Sequence, residues 1–123
     1  MQIYIFVACD RLEEAQEKQL KQNREDILAA LKAYTESMPQ VDIKVINETD
    51  SDNCEDWVLG IEQPIKKPKQ LQTPVNLFND LAKQYGIDAE FGTAEDGNRE
   101  AVSYFGHEEG KGDSFMLAQY LEL

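Results

Sequence analysis

Three side chains in this sequence could take part in covalent or acid–base chemistry: the cysteines Cys9 and Cys54 and the single histidine, His107. Cys9 stands where an apolar segment meets a helical one, and a helix N-terminus lowers the pKa of a thiol. However, the segment CDRLEEA lacks the glycines of a phosphate-binding cysteine loop and the arginine that follows such a loop, and Asp10 would oppose a thiolate. Buried, unreactive thiols are therefore the favoured interpretation.

His107 lies in the segment GHEEGKGD, beside two glutamates, where it could act as a general base or as one metal ligand. The chain has no second histidine and no HExxH motif, so a zinc site is not predicted, and the glycines do not form a nucleotide-binding GxGxxG pattern. A pairing of His107 with Cys9 or Cys54 stays open, because catalytic partners need not be close in sequence. An enzyme that uses His107 or Cys9 is the alternative hypothesis, and no cofactor is predicted.

A run of carboxylates after residue 47 could hold a calcium or magnesium ion. If Asp50 were the first ligand of an EF-hand loop, Glu55 would replace the glycine and Ile61 the bidentate glutamate, so that loop is excluded. The run is then an adventitious divalent-cation site, a solvated loop or an anionic contact surface for a basic protein. Trp57, which follows it, is an interface anchor or a half-buried strand residue. The carboxylates of the run are Glu48, Asp50, Asp52, Glu55 and Asp56.

The negative charge of the chain is concentrated in two segments. The 123 residues carry a net charge of −12, and residues 40–63 and 88–113 each contribute −6. The basic residues form only one short run, KKPK at 66–69, so neither direct nucleic-acid binding nor an anionic membrane surface is expected. In the second segment, the residues predicted to contact a partner are Glu90, Glu95, Asp96, Glu108 and Glu109.

The elements that must position these residues follow the order βαββαββα. Strands are predicted at 2–9, 41–47 and 57–63, and a helix at 11–36, with Asp10 as its cap and a break conceivable at Asn23. Thr73 is predicted to cap a second helix that has Pro74 at its first position and ends at Gly86. A last helix, capped by Asp113 and packed on the sheet, is predicted at 114–123.

Two further strands flank Asp96-Gly97, which is typical of a two-residue hairpin turn. With that loop, Phe91 should face Val102 and Ala89 should face Tyr104, whereas a three-residue loop would put Phe91 opposite Ser103.

These elements predict an α+β fold in one domain, 1–123, with a mainly antiparallel sheet and helices on one face. The first six match the split βαβ arrangement of ferredoxin-like folds, with a hairpin strand and a C-terminal helix added. No apolar run is long enough to cross a bilayer and the N-terminus lacks signal-peptide features, so cytoplasmic localisation is expected. Because the surrounding strands are acidic, the aromatic residues should pack in the core rather than stack on nucleic-acid bases: Tyr4, Phe6, Phe91, Tyr104 and Phe105.

The favoured function is that of a non-enzymatic protein that docks a basic protein through its acidic segments. Inhibitors and immunity proteins that neutralise cationic nuclease toxins have this general character. A third hypothesis is a structural or regulatory module that forms a homodimer through its C-terminal helix. Apolar residues nearly encircle that helix: Phe115, Met116, Leu117, Tyr120, Leu121 and Leu123.

Overall fold

A computed structural model describes all residues, 1–123, as a five-stranded antiparallel sheet with three helices. This confirms the predicted α+β class and the order of the elements. Short 3-10 turns lie at Cys54–Asp56 and Pro68–Leu71. None of the three helices combines the length and the apolar composition that crossing a membrane requires. The strands are β1 Gln2–Val7, β2 Lys44–Glu48, β3 Val58–Pro64, β4 Asp88–Glu95 and β5 Asn98–Gly106; the helices are α1 Glu14–Ser37, α2 Gln72–Tyr85 and α3 Ser114–Tyr120.

The strand order across the sheet is β2-β3-β1-β4-β5, and every neighbouring pair is antiparallel. Because β3 lies between β1 and β2, helix α1 connects two parallel strands that are separated by an antiparallel one. Helix α2 connects β3 and β4 around β1 in the same way. The first six elements therefore form two interleaved split βαβ units, and β5 extends the sheet through a hairpin.

The core lies between the sheet and the helices and uses alternate residues of the central strand. Ile3, Ile5 and Val7 of β1 belong to the core cluster together with helix residues, whereas Tyr4 and Phe6 point to the opposite face. The helices therefore cover one face of the sheet, as predicted. Helix residues of the core include Leu20, Ile27, Leu28, Leu31 and Tyr34 of α1 and Val75, Phe78, Leu81 and Ala82 of α2.

Helix α1 begins later than predicted and is continuous. Asp10 is not its cap; the N-cap is Glu13, whose backbone N–H donates to Gln16 Oε1 at 2.8 Å. This hydrogen bond satisfies the Glu13 backbone N–H at the start of the helix, so a cap further upstream at Asp10 is not needed. No break occurs at Asn23, because the buried stripe that includes Leu20 and Ile27 spans both sides of it.

Helix α2 begins at Gln72, directly after the 3-10 turn at Pro68–Leu71, so Thr73 lies in the first helical turn instead of capping it. Gln70 Oε1 accepts hydrogen bonds from the backbone N–H groups of Lys66 and Lys67 and organises the approach to the helix. The helix ends at Gly86 in the left-handed conformation, with φ of 67°, as predicted.

The hairpin has the predicted turn but a different register. Asp96 and Gly97 form the two-residue turn, with φ of 51° and 81°. Beyond it, the pairing passes from Gly92–Ala101 to Phe91–Ser103, so Val102 is an extra residue in a β-bulge. The predicted pairs of Phe91 with Val102 and of Ala89 with Tyr104 are therefore wrong. Instead Ala89 pairs with Phe105, and the bulge places Phe91 and Phe105 together in the core.

Helix α3 is capped by Asp113, as predicted, through its side-chain oxygen and the N–H groups of Phe115 and Met116. It ends at Tyr120 and packs on the 3-10 turn at Pro68–Leu71 rather than on the sheet. Leu117, Ala118 and Leu121 form its buried side. On its outer side, Phe115 is 68% exposed and Tyr120 is 54% exposed.

Candidate functional site

The strand register brings the two acidic segments to one end of the sheet. Val7 at the end of β1 pairs with Ala89 near the start of β4, and Glu48 at the end of β2 pairs with Val58 at the start of β3. Asp88 pairs with Gly106 at the end of β5. The loops after β1, β2 and β5 therefore meet at this end. We call residues 8–17, 48–57, 88–90 and 107–111 the acidic end.

The acidic end carries thirteen acidic side chains and two basic ones, a net charge of −11. Only Glu17 has a basic partner within 4.0 Å, Lys21 Nζ at 3.7 Å. The other two ion pairs of the protein involve Glu25 and Glu62, which lie outside this region. The thirteen acidic residues are Asp10, Glu13, Glu14, Glu17, Glu48, Asp50, Asp52, Glu55, Asp56, Asp88, Glu90, Glu108 and Glu109.

The structure brings most of the predicted partner-binding residues together at this end, but two lie elsewhere. Glu95 and Asp96 stand at the β4–β5 turn, at the opposite end of the sheet, near Lys44 and Arg99. The residues at the acidic end are Glu48, Asp50, Asp52, Glu55, Asp56, Trp57, Glu90, Glu108 and Glu109.

Side-chain contacts fix the first acidic loop against helix α1. The Cys54 N–H donates to Glu17 Oε1 at 3.2 Å, and Arg24 Nη1 donates to the carbonyl oxygen of Thr49 at 3.4 Å. Trp57 is only 7% exposed, and its Nε1 donates to the Ser51 carbonyl oxygen at 2.7 Å. Trp57 is therefore not an exposed interface anchor. Its ring packs in the core, and its hydrogen bond to Ser51 attaches the loop to that core.

The second acidic segment is attached to the same helix. Asp88 Oδ1 accepts from the backbone N–H groups of Glu108 at 2.9 Å and Glu109 at 3.1 Å. Gln16 Nε2 donates to Glu108 Oε1 at 3.0 Å. The first turns of α1 thus lie between the two segments.

Those turns of α1 also add Glu13, Glu14 and Glu17 to the acidic end. Sequence reasoning missed this contribution. Acidic residues in the first turn of a helix are common, because they complement the helix dipole, and only the topology places these three beside the other carboxylates.

A cleft of about 470 Å³ opens at the acidic end, between the loop after β1, the end of α2 and the loop after β5. Asp10, Asp88, Glu108 and Glu109 give it four carboxylates against one basic residue, Arg11. The side chains of Asp10 and Glu109 make no hydrogen bond or ion pair within the protein. A negative rim over an apolar wall is suited to a cationic side chain with an apolar stem. The apolar part of the lining includes Leu12, Leu20, Tyr85 and Ile87.

The thiols and the imidazole do not converge. Burial, with smaller contributions from Cys54 and Asp10, raises the pKa of Cys9 to about 12, and its Sγ donates to the Val7 carbonyl oxygen at 3.3 Å. Burial and then the nearby Glu17 raise the pKa of Cys54. His107 is exposed, contacts neither thiol and does not line the cleft. The pairings of His107 with Cys9 or Cys54 are thus absent, and a thiolate at Cys9 is disfavoured. No three histidine, cysteine, aspartate or glutamate side chains are grouped so that they could hold one metal ion.

The aromatic residues divide between the two faces of the sheet, and four of the five are buried, as predicted; the prediction is wrong only for Tyr104. Tyr4 and Phe6 lie on the uncovered face, 4.5 Å apart between ring centroids, and Tyr4 packs over Gly92, where any Cβ would collide with its ring. Tyr104 is exposed on that face. The hydroxyls of Tyr4 and Tyr104 donate to Glu90 at 2.5 and 3.2 Å. Burial, and then Glu90, raise the pKa of both tyrosines.

No protein-family model, no curated protein and no solved structure matches this chain. The finer assignment to the ferredoxin-like folds is therefore not confirmed by a relative.

Proposed function

We propose that the protein is a binding protein that docks a basic protein partner through its acidic end. The observation that carries the proposal is a net charge of −11 in which only one of thirteen carboxylates is ion-paired. Carboxylates without internal partners can pair with incoming cations without first breaking an ion pair of their own. A field of one sign concentrated at one end of a small domain also raises the rate of association with an oppositely charged partner.

The charges alone would not make a tight complex, because exposed ion pairs contribute only about 0–1 kcal/mol each. We assign the stabilising contact to the cleft, whose apolar wall can bury the stem of a lysine or arginine while Asp10 and Glu109 meet its charged head. The surrounding loops would then form a polar rim that steers the partner and fixes its orientation.

A cationic nuclease is the class of partner that we propose. Nucleases bind the phosphates of their substrate through arginine and lysine side chains, and a carboxylate-rich surface would occupy those same side chains. The chemistry of inhibition would be occlusion, with no covalent step.

The test is affinity capture from the native host with three forms of the protein as bait. The acidic-end variant carries Glu48→Gln, Asp50→Asn, Asp52→Asn and Glu55→Gln, four exposed residues with no side-chain hydrogen bond. The control carries Asp42→Asn, Glu95→Gln, Asp96→Asn and Glu100→Gln, also exposed but at the opposite end. Both variants change the net charge by the same amount.

We expect the native protein and the control to retain the same basic protein at low salt and to release it as salt is added. The acidic-end variant should lose it. Retention by both variants, or equal loss from both, would show that the acidic end is not the binding surface.

The exposed side of α3 favours a second proposal, self-association. Four of the six exposed large apolar side chains of the protein belong to this helix or to the residues that follow it: Phe115, Met116, Tyr120 and Leu123.

A further inference from the structure

Tyr104 is the one exposed aromatic residue at the cleft of the acidic end. Its side chain is 43% exposed, and the other exposed aromatic residues, Phe115 and Tyr120, belong to α3. The Tyr104 ring lines the cleft, and its hydroxyl donates to Glu90 at 3.2 Å. An aromatic face beside several carboxylates can bind a planar cation both by stacking and by pairing.

We infer that the acidic end selects arginine over lysine: a guanidinium group of the partner stacks on Tyr104 and pairs with the carboxylates of the cleft. The inference rests on the proposed function and defines the side chain that the partner must present. Lysine is a poorer fit, because its ammonium is a strongly hydrated point charge that neither stacks nor pairs through two parallel N–H groups.

The protein already uses this arrangement on the uncovered face of its own sheet. Arg99 lies over the ring of Phe6, with its Cζ 4.9 Å from the ring centroid. The same guanidinium donates to both carboxylate oxygens of Glu62, at 3.3 and 3.2 Å. In this sheet, an aromatic ring beside a glutamate therefore binds an arginine. Tyr104 and Glu90 form a second pair of an aromatic residue and a glutamate.

A second internal example lies at the acidic end itself. The Cζ of Arg24 is 6.0 Å from the centroid of the Trp57 ring, and its Nη1 donates to the Thr49 carbonyl oxygen at 3.4 Å. Phe6 and Trp57 each have an arginine of this chain over the ring. Tyr104 has none, and it is the ring that faces solvent.

Arg11 is the one cation of this chain in the cleft lining, and no arginine of the chain lies over the Tyr104 ring. Arg11, the basic residue of the lining, is exposed, forms no ion pair within 4.0 Å and covers no ring. The bond to Glu90 holds the Tyr104 ring in place before a ligand arrives, which reduces the ordering cost of binding. The carboxylates of Asp10 and Glu109 form no hydrogen bond and no ion pair within the protein.

The experiment compares hexa-arginine and hexa-lysine peptides, which carry equal charge, by calorimetric titration at low salt. The native protein should bind hexa-arginine about two- to fivefold more tightly than hexa-lysine, which is the range of an exposed cation–π contact. Tyr104→Leu should bring the two affinities together, while Tyr104→Phe, which keeps the ring, should retain most of the preference. Tyr120→Leu removes an exposed ring far from the cleft and should leave the preference unchanged.

Equal affinity of the native protein for the two peptides overturns the inference, and so does a preference that survives Tyr104→Leu. Neither result affects the proposed function if the acidic-end variant binds both peptides more weakly than the native protein does. If that variant binds both as tightly as the native protein, or if neither peptide binds the native protein, the proposed function fails as well.

Discussion

The two ends of the sheet carry very different charges although the same five strands build both. The acidic end has a net charge of −11. We call residues 38–44, 64–71 and 95–100 the hairpin-turn end; it has four acidic and five basic residues, a net charge of +1. At the hairpin-turn end, Glu95 and Asp96 line a shallow cavity together with Lys44 and Arg99, and Glu62, which borders this end, is paired with Arg99.

Charge that is contiguous along a segment of the sequence is therefore not necessarily contiguous on the surface. The segment 88–113 forms a hairpin, so Asp88 stands at the acidic end while Glu95 and Asp96 stand at the hairpin-turn end. Seven steps of about 3.4 Å along β4 separate Asp88 from Glu95 by roughly 24 Å. This exceeds the Debye length of about 10 Å at 0.1 M salt, so the two groups of carboxylates act independently.

The largest expected effect concerns the buried thiol of the acidic end. The pKa of Cys9 rises from 9.0 to about 12, mainly through burial, so the folded protein favours the neutral thiol. The contribution of the neutral Cys9 thiol to the free energy of unfolding is complete below pH 9 and is lost as the pH rises toward 12. At pH 12 the loss amounts to as much as about 4 kcal/mol, at about 1.4 kcal/mol for each pKa unit.

Urea unfolding at a series of pH values from about 8 to about 12, the interval in which the thiol ionises, measures this loss. Because the pKa of Tyr4 is also raised, the native protein must be compared with Cys9→Ala, whose free energy of unfolding should fall less steeply with pH. Parallel curves for the two proteins would mean that Cys9 is not desolvated in the folded state.

A smaller effect separates the two ends directly. Neutralising Glu48, Asp50, Asp52 and Glu55 should raise the free energy of unfolding by about 0.5–1 kcal/mol at low salt, because it relieves repulsion among unpaired carboxylates. The control variant at the hairpin-turn end should be unchanged or slightly destabilised, because Glu95 and Asp96 lie near Lys44 and Arg99 and this end has a net charge of +1. Urea unfolding of both variants checks this, and the difference should vanish at high salt. Equal stabilisation of both variants would indicate a uniform surface charge.

The sequence predicted the elements well and the surface less well. Asp96-Gly97 identifies the turn by itself, since both residues accept positive φ. The bulge at Val102 depends on which strand residues the helices cover. The local sequence of the two strands does not predict this coverage. The acidic residues in the first turn of α1 and the buried ring of Trp57 likewise depend on contacts between distant segments. The same is true of the contact between Tyr104 and Glu90, on which the proposed arginine site depends and which forms only because β5 pairs with β4.

The smallest effect is expected from α3, which packs near the hairpin-turn end and exposes Phe115 and Tyr120. A stable interface needs about 800 Å² from each partner, more than a seven-residue helix can offer alone, so we expect a weak dimer. Its salt response should be opposite to that of the acidic end. Two chains of net charge −12 repel each other, and salt screens that repulsion without weakening an apolar contact.

Sedimentation at about 20 mM and about 500 mM salt distinguishes the two kinds of contact. The dimer should be more populated at high salt, and the double variant Phe115→Ser, Tyr120→Ser should abolish it. Tyr104→Ser, which removes an exposed ring at the acidic end, should leave it intact. Should the dimer instead dissociate at high salt, the contact would be electrostatic. It would then join the acidic end of one copy to the lysines of another copy's hairpin-turn end, because that end holds the basic run of the chain: Lys66, Lys67 and Lys69.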